Sequence, residues 1–139
     1  MDVGIIGLGR MGGNMARRLH LGGHHVVAYN RTPERTREVT AEGIDGAYSL
    51  EELRARLPAP RAIISMLPAG EPTETMIGEL VEVLGAGDTI VDGGNANFHD
   101  SQLRHKMLAE RGLRFVDCGV SGGSWGLKNG YGIMVGGEP

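Results

Sequence analysis

Three glycines, Gly7, Gly9 and Gly12, stand in the spacing G-x-G-x-x-G directly after the apolar run Val3 to Ile6 and at the head of a helix-forming stretch, VGIIGLGRMGGNMARRL. In that setting the first glycine permits a tight turn, the second lets a pyrophosphate approach the backbone, and the third lets helix and strand pack closely. The free N–H groups and positive end of a helix starting near Arg10 would hold the phosphates. The expected ligand is a dinucleotide, with Gly7, Leu8, Gly9, Arg10, Met11 and Gly12 as its candidate contacts. The competing reading is a bare structural turn in a glycine-rich chain.

About twenty residues on, the run His25 to Tyr29 ends in Asn30-Arg31-Thr32. NAD enzymes usually place a carboxylate there to bind the ribose 2′-hydroxyl, and that carboxylate would repel a 2′-phosphate. A neutral Asn30, a guanidinium on Arg31 and a hydroxyl on Thr32 suit NADP instead, with NAD left open as a ligand. The alternative is that Arg31 is a solvated loop charge and Thr32 only a helix cap. Two later glycine pairs, in Asp92-Gly93-Gly94-Asn95 and Gly119-Val120-Ser121-Gly122-Gly123, also follow apolar runs. Their uncharged carboxamide and hydroxyl suit a polyhydroxy substrate.

Positioning these groups at one edge requires a parallel sheet. Strand-length apolar runs recur at Val3 to Ile6, His25 to Tyr29, Ala62 to Met66, Thr89 to Asp92 and Phe115 to Asp117, with helical stretches between them. That alternation predicts βαβ units, and Val/Ile strands without polar alternation predict helices on both faces. The expected fold is α/β, of the doubly wound Rossmann type with a mainly parallel sheet, filling residues 1–139 as one domain. Thr32-Pro33 reads as a cap with proline in the first turn, and Ser49 to Glu52 has capping-box spacing. Helices from about Pro72 to Leu84 and Asp100 to Arg111 are expected to end in left-handed glycine caps at Gly85 and Gly112. A further strand is expected over Tyr131 to Val135, after which the domain looks cut rather than finished.

Composition narrows the function classes. The 139 residues are 40% hydrophobic with a net charge of -3, which speaks against disorder and against a nucleic-acid binder driven by an overall positive field. The single cysteine, Cys118, cannot form an intramolecular disulfide, and no run approaches the 18 or so apolar residues that span a bilayer. A cytoplasmic protein acting on a small molecule, without nucleic acid or membrane, is expected. The 24 glycines cluster at the ends of the strands, where a ligand would be approached.

The stretches GLGRMGGNMARRL, ISMLPAG, DGGNANFHDS and VSGGSWGLKNGYGIMVGG together resemble the decarboxylating 6-phosphogluconate dehydrogenases, especially their shorter bacterial form, within the β-hydroxyacid dehydrogenase superfamily. The resemblance implies that Asn30, Arg31 and Thr32 recognise NADP and that Met66 and Leu67 pass alongside the cofactor. It places Asn95 between cofactor and substrate, and Ser121, Gly122 and Gly123 in the substrate-binding loop. Two departures stand out: Pro68-Ala69 where many longer members have a lysine and alanine, and Ser124-Trp125 where they have an acidic pair.

The reaction so implied oxidises 6-phosphogluconate with hydride transfer to NADP and then loses carbon dioxide to give ribulose 5-phosphate, in the pentose phosphate pathway. The resemblance puts the lysine acid/base and a glutamate for this chemistry in a C-terminal helical domain that also dimerises, so no catalytic residue is expected among these 139. Lys106 and Lys128, the only lysines, are expected on a surface helix and in a loop, and neither is expected to fill the role. His24 and His25 read as a polar turn and strand entry with spacing poor for one metal, His20, His99 and His105 lack carboxylate or cysteine partners at ligand spacing, and no metal site is expected. Alternatives are another β-hydroxyacid dehydrogenase, an imine reductase, or a freestanding nucleotide-sensing module.

Overall fold

A computed structural model describes residues 1–68, 70–93, 106–121 and 132–137. The strands β1 (Asp2–Ile6), β2 (His25–Tyr29), β3 (Asp45–Ala47), β4 (Ala62–Ser65), β5 (Thr89–Asp92), β6 (Arg114–Ser121) and β7 (Gly132–Gly137) form one sheet. Its order is β3-β2-β1-β4-β5-β6-β7. Neighbours run parallel except β6 and β7, which pair antiparallel with Ser121 opposite Gly132.

Among the described residues, α1 (Arg10–Leu21), α2 (Pro33–Thr40), α3 (Leu50–Ala55) and α4 (Glu71–Val83) connect the successive parallel strands from β1 to β5. A further helical segment covers residues 106–109. Alternate strand residues feed two cores. On one face Val3, Ile5, Val26 and Ala28 pack with Ala16 of α1 and Val39 of α2. On the other, Ile6, Val27, Ile63, Ile90 and Phe115 pack with Leu53 of α3 and Met76 and Leu80 of α4. Each fully buried Val, Ile or Leu side chain contributes about 1.5–3 kcal/mol relative to exposure. Burial on both faces is the reason the strands are apolar without alternation, as the doubly wound reading expects.

The chain winds from β1 to β3 in one direction and resumes with β4 on the other side of β1. Ligands of open α/β sheets bind outside the carboxyl ends of the strands at such a reversal. Here the reversal lies between Ile6 at the end of β1 and Ser65 at the end of β4, which are paired in register.

Local signals met mixed outcomes. Ser49 caps α3, its Oγ accepting the Glu52 N–H at 3.1 Å, while the Glu52 carboxylate accepts the N–H of Tyr48 at 3.3 Å. Gly112 turns the chain with φ 75° as expected. Gly85 does not: Leu84 leaves α4 in an extended conformation, the Asp88 carboxylate accepts the Gly85 N–H at 3.0 Å, and the positive φ falls on Gly87 instead. Helix α4 runs Glu71–Val83, about one residue ahead of expectation. Thr32 sits at the N-cap of α2 with Pro33 following, but its hydroxyl makes no capping bond, so the role expected of that side chain as a cap is not realised.

Candidate functional site

The glycine loop sits at the reversal, and two of its three glycines resist a side chain, Gly7 by its backbone conformation and Gly12 by contact. Gly7 has φ 90°, a conformation β-carbons resist, and a Cβ there would also lie 3.1 Å from Leu67 Cδ2 and from the Met66 carbonyl. A Cβ on Gly12 would overlap the carbonyl oxygen of Gly7, which is how helix α1 comes so close to β1. Gly9 differs from both. Its φ of −65° is open to any residue, and a Cβ built on it meets nothing within 4 Å. No packing among the described residues accounts for a glycine there, whereas a ligand drawn against the backbone would.

Gly9 is also the N-cap of α1, with no side-chain capping bond, and the first helical hydrogen bond runs from the Gly13 N–H to the Gly9 carbonyl at 2.8 Å. The N–H groups of Gly9 to Gly12 therefore lack intrahelical partners and point out of the positive end of the helix. No acidic side chain stands in this first turn, and Arg10 is exposed beside it. An anion is the complementary ligand.

Beneath the loop the ends of β1, β4 and β5 converge on Met66. Its N–H donates to the Ile6 carbonyl at 2.8 Å, and the Gly93 N–H donates to the Ser65 carbonyl at 2.8 Å. A Cβ on Gly93 would overlap the Met66 sulfur, so this thioether fills the space that the glycine leaves. Met66 and Met11, both half-buried, pack against buried Met15 and Cys118, giving a soft floor to the cleft and placing Cys118 among apolar groups. Ser65 and Asp92, opposite one another in register, are fully buried, and Ser65 Oγ has no partner among the described residues.

The residues after β2 meet the glycine loop directly. The Gly7 N–H donates to the Tyr29 carbonyl at 3.0 Å, and the Leu8 N–H donates to Asn30 Oδ1 at 2.8 Å. Asn30 Nδ2 donates to the Thr32 carbonyl at 3.1 Å, and its own N–H is accepted by Thr36 Oγ1 at 3.2 Å. Asn30 thus ties the turn to the loop as well as lying in it. Leu8 is spoken for on both counts, its N–H by Asn30 and its side chain by the core. Arg31 and Thr32 are exposed, and the Arg31 guanidinium reaches α4, with Nη2 3.5 Å from Glu79 Oε1.

Gly7, Leu8, Gly9, Arg10, Met11, Gly12, Asn30, Arg31, Thr32, Met66 and Leu67 are therefore gathered along one edge. Asn95, Gly122 and Gly123 lie outside the described residues, and Ser121 is described as the last residue of β6. Sequence reasoning missed Thr36 and Glu79. Thr36, fully buried beside Val39 on α2, is detectable as a polar residue on the apolar face of its helix. Glu79 lies 48 residues from Arg31, and no local pattern points to it.

The family profile described as the NAD binding domain of 6-phosphogluconate dehydrogenase matches residues 2–139. The chain is 47% identical over 142 aligned residues to the decarboxylating 6-phosphogluconate dehydrogenase of Haemophilus ducreyi, covering 99% of this chain and 29% of that protein. The Candida albicans protein of the same name is 42% identical, with coverages of 99% and 28%. The chain thus spans under a third of the length of these relatives. Among solved structures it superposes on Plasmodium falciparum 6-phosphogluconate dehydrogenase, studied in apo, NADP+ and 6-phosphogluconate complexes, with a TM-score of 0.92 and 34% identity, over 99% of this chain and 31% of that one. Mycobacterium tuberculosis 3-hydroxyisobutyrate dehydrogenase follows at 0.86 and 26%, covering 99% and 46%.

Proposed function

We propose that this chain, which belongs to the family of NAD-binding domains of 6-phosphogluconate dehydrogenase, holds NADP for an enzyme that oxidatively decarboxylates 6-phosphogluconate to ribulose 5-phosphate. The observation that carries the proposal is Gly9, a glycine without a packing reason at the mouth of an uncapped helix, facing a turn that offers a neutral amide and a guanidinium where an NAD site would offer a carboxylate. The relatives named for this activity, and the Plasmodium enzyme studied with NADP+ and 6-phosphogluconate, support the same reading.

The geometry supports a division of labour among these residues. The N–H groups of Gly9 to Gly12 hold the pyrophosphate, Arg31 and the Thr32 hydroxyl take the 2′-phosphate, and Met66, Leu67 and Met11 form the apolar wall beyond it. NADP supplies the hydride acceptor for oxidation of the substrate carbinol. Oxidation creates the carbonyl that receives the electron pair left by carbon dioxide. Asn95 and the segment Ser121, Gly122 and Gly123 are assigned to the substrate, and the proton-transferring lysine to a part of the protein beyond these residues, where the homo-oligomer contacts are also assigned.

Titration of the chain with NADP+ and NAD+, with Arg31→Ala as the comparison, tests the cofactor half. NADP+ binds more tightly, and the substitution removes about 1.5–3 kcal/mol of that preference, the range of a hydrogen bond to a charged group. Release of carbon dioxide from 6-phosphogluconate with NADP+ reduction by the whole protein tests the reaction. A whole protein that reduces NADP+ with another β-hydroxyacid and releases none contradicts it.

A further inference from the structure

We infer that Glu79 sets how strongly this site prefers a 2′-phosphate, by competing with that phosphate for the Arg31 guanidinium. The inference rests on the reading of the Asn30-Arg31-Thr32 turn as the 2′-phosphate site. Arg31 leaves the turn after β2 and crosses to α4, where Nη2 stands 3.5 Å from Glu79 Oε1. The two side chains are 64% and 46% exposed, so each can swing without disturbing the core. Glu79 also lines, with Tyr29, Tyr48, Glu51 and Glu82, a cleft of about 430 Å³ that opens beside the end of β2. Of these carboxylates Glu82 is paired with Arg111 at 3.4 Å, and Glu79 is the one that Arg31 reaches.

A phosphate arriving at the turn needs the guanidinium that Glu79 draws toward α4 through Nη2. It also brings up to two negative charges toward Glu79, and like charges sharing one guanidinium oppose each other. The pair costs NADP+ affinity and leaves NAD+, which carries only a hydroxyl there, almost untouched. Glu79 thus lowers the preference that Asn30 and Arg31 create, and a neutral isostere raises it.

The test is calorimetric titration of NADP+ and NAD+ into wild type, Glu79→Gln, Arg31→Ala and the double variant, each first checked by circular dichroism and thermal melting. At low ionic strength Glu79→Gln raises the NADP+ to NAD+ affinity ratio about 2- to 5-fold, the range open to an exposed ion pair. The gain vanishes on the Arg31→Ala background and fades at about 1 M salt, where charges are screened within about 3 Å. An unchanged or lowered ratio in Glu79→Gln overturns the inference, as does an equal gain without Arg31. If wild type itself binds NADP+ no better than NAD+, the reading of the turn as a 2′-phosphate site fails, and the inference with it.

Discussion

The side-chain amide of Asn30 joins the two halves of the nucleotide edge, Oδ1 accepting the Leu8 N–H at 2.8 Å while Nδ2 donates to the Thr32 carbonyl at 3.1 Å. Aspartate at this position keeps the acceptor for Leu8 but sets an oxygen against the Thr32 carbonyl and adds a negative charge beside Arg31. Asn30→Asp is therefore expected to lower the NADP+ to NAD+ affinity ratio by about tenfold or more, equivalent to about 1.4 kcal/mol. Asn30→Ala leaves the half-buried Leu8 N–H without its acceptor and is expected to cost about 1–3 kcal/mol of stability in urea titration.

At the opposite edge of the sheet, stability and binding separate. The buried Asp88 carboxylate accepts the Arg61 N–H at 2.7 Å, Arg61 Nη1 at 3.2 Å and the Gly85 N–H at 3.0 Å, joining the segments that enter β4 and β5. Asp88→Ala takes the carboxylate from a largely buried guanidinium, whose Nε keeps the Arg54 and Leu57 carbonyls, and leaves two backbone N–H groups without their acceptor, and about 3–5 kcal/mol of stability goes with it. Chemical denaturation measures that loss. The nucleotide affinity of the folded fraction stays at the wild-type value.

His25 bridges three adjacent strands, Nδ1 lying 2.6 Å from Asp2 and Nε2 2.6 Å from Asp45. The hydrogen bonds to Asp45 and then Asp2 raise its pKa above the ordinary 6.5, outweighing a small desolvation effect in the other direction. The imidazolium therefore binds its proton more tightly folded than unfolded. Its stabilisation is fully present below pH 6.5 and is lost as pH rises through the folded value. Urea midpoints for wild type are expected to fall over that window by more than those of His25→Gln, and equal slopes would show that the bridge contributes nothing. All three side chains are substantially exposed, so the effect stays below about 1 kcal/mol.

Gly12→Ala drives a methyl group into the Gly7 carbonyl and separates α1 from β1. Backbone faces the new atom, so no side chain can rotate away, and a destabilisation of about 1–3 kcal/mol or more is expected in thermal melts.

Much of this organisation is legible in the residues because it rests on local rules. Strands buried on both faces must be Val and Ile, as in HVVAY, and a loop pressed between strand and helix must be glycine at positions 7 and 12. Strand β3 escapes such reading: Asp45-Gly46-Ala47 has poor strand propensity and is extended because it completes the sheet edge against Val27 to Tyr29. The cap expected of Gly85 fails because Asp88, three residues on and held in place by Arg61 from 27 residues away, takes its N–H. The neutral amide of Asn30 is visible as a specificity signal, but its bond to Leu8 depends on two loops meeting across 22 residues. The same holds more strongly for Glu79 and Arg31.

The claim on which the rest depends is that Gly9 is glycine for a ligand and not for the fold. Its Cβ would enter open space at a φ any residue accepts, so Gly9→Ala is expected to melt within about 0.5 kcal/mol of wild type. Calorimetric titration of NADP+ into the folded variant is the direct measurement. Affinity at least tenfold weaker, about 1.4 kcal/mol, is the predicted result. A Gly9→Ala chain that binds NADP+ as tightly as wild type would place the pyrophosphate elsewhere and contradict the account.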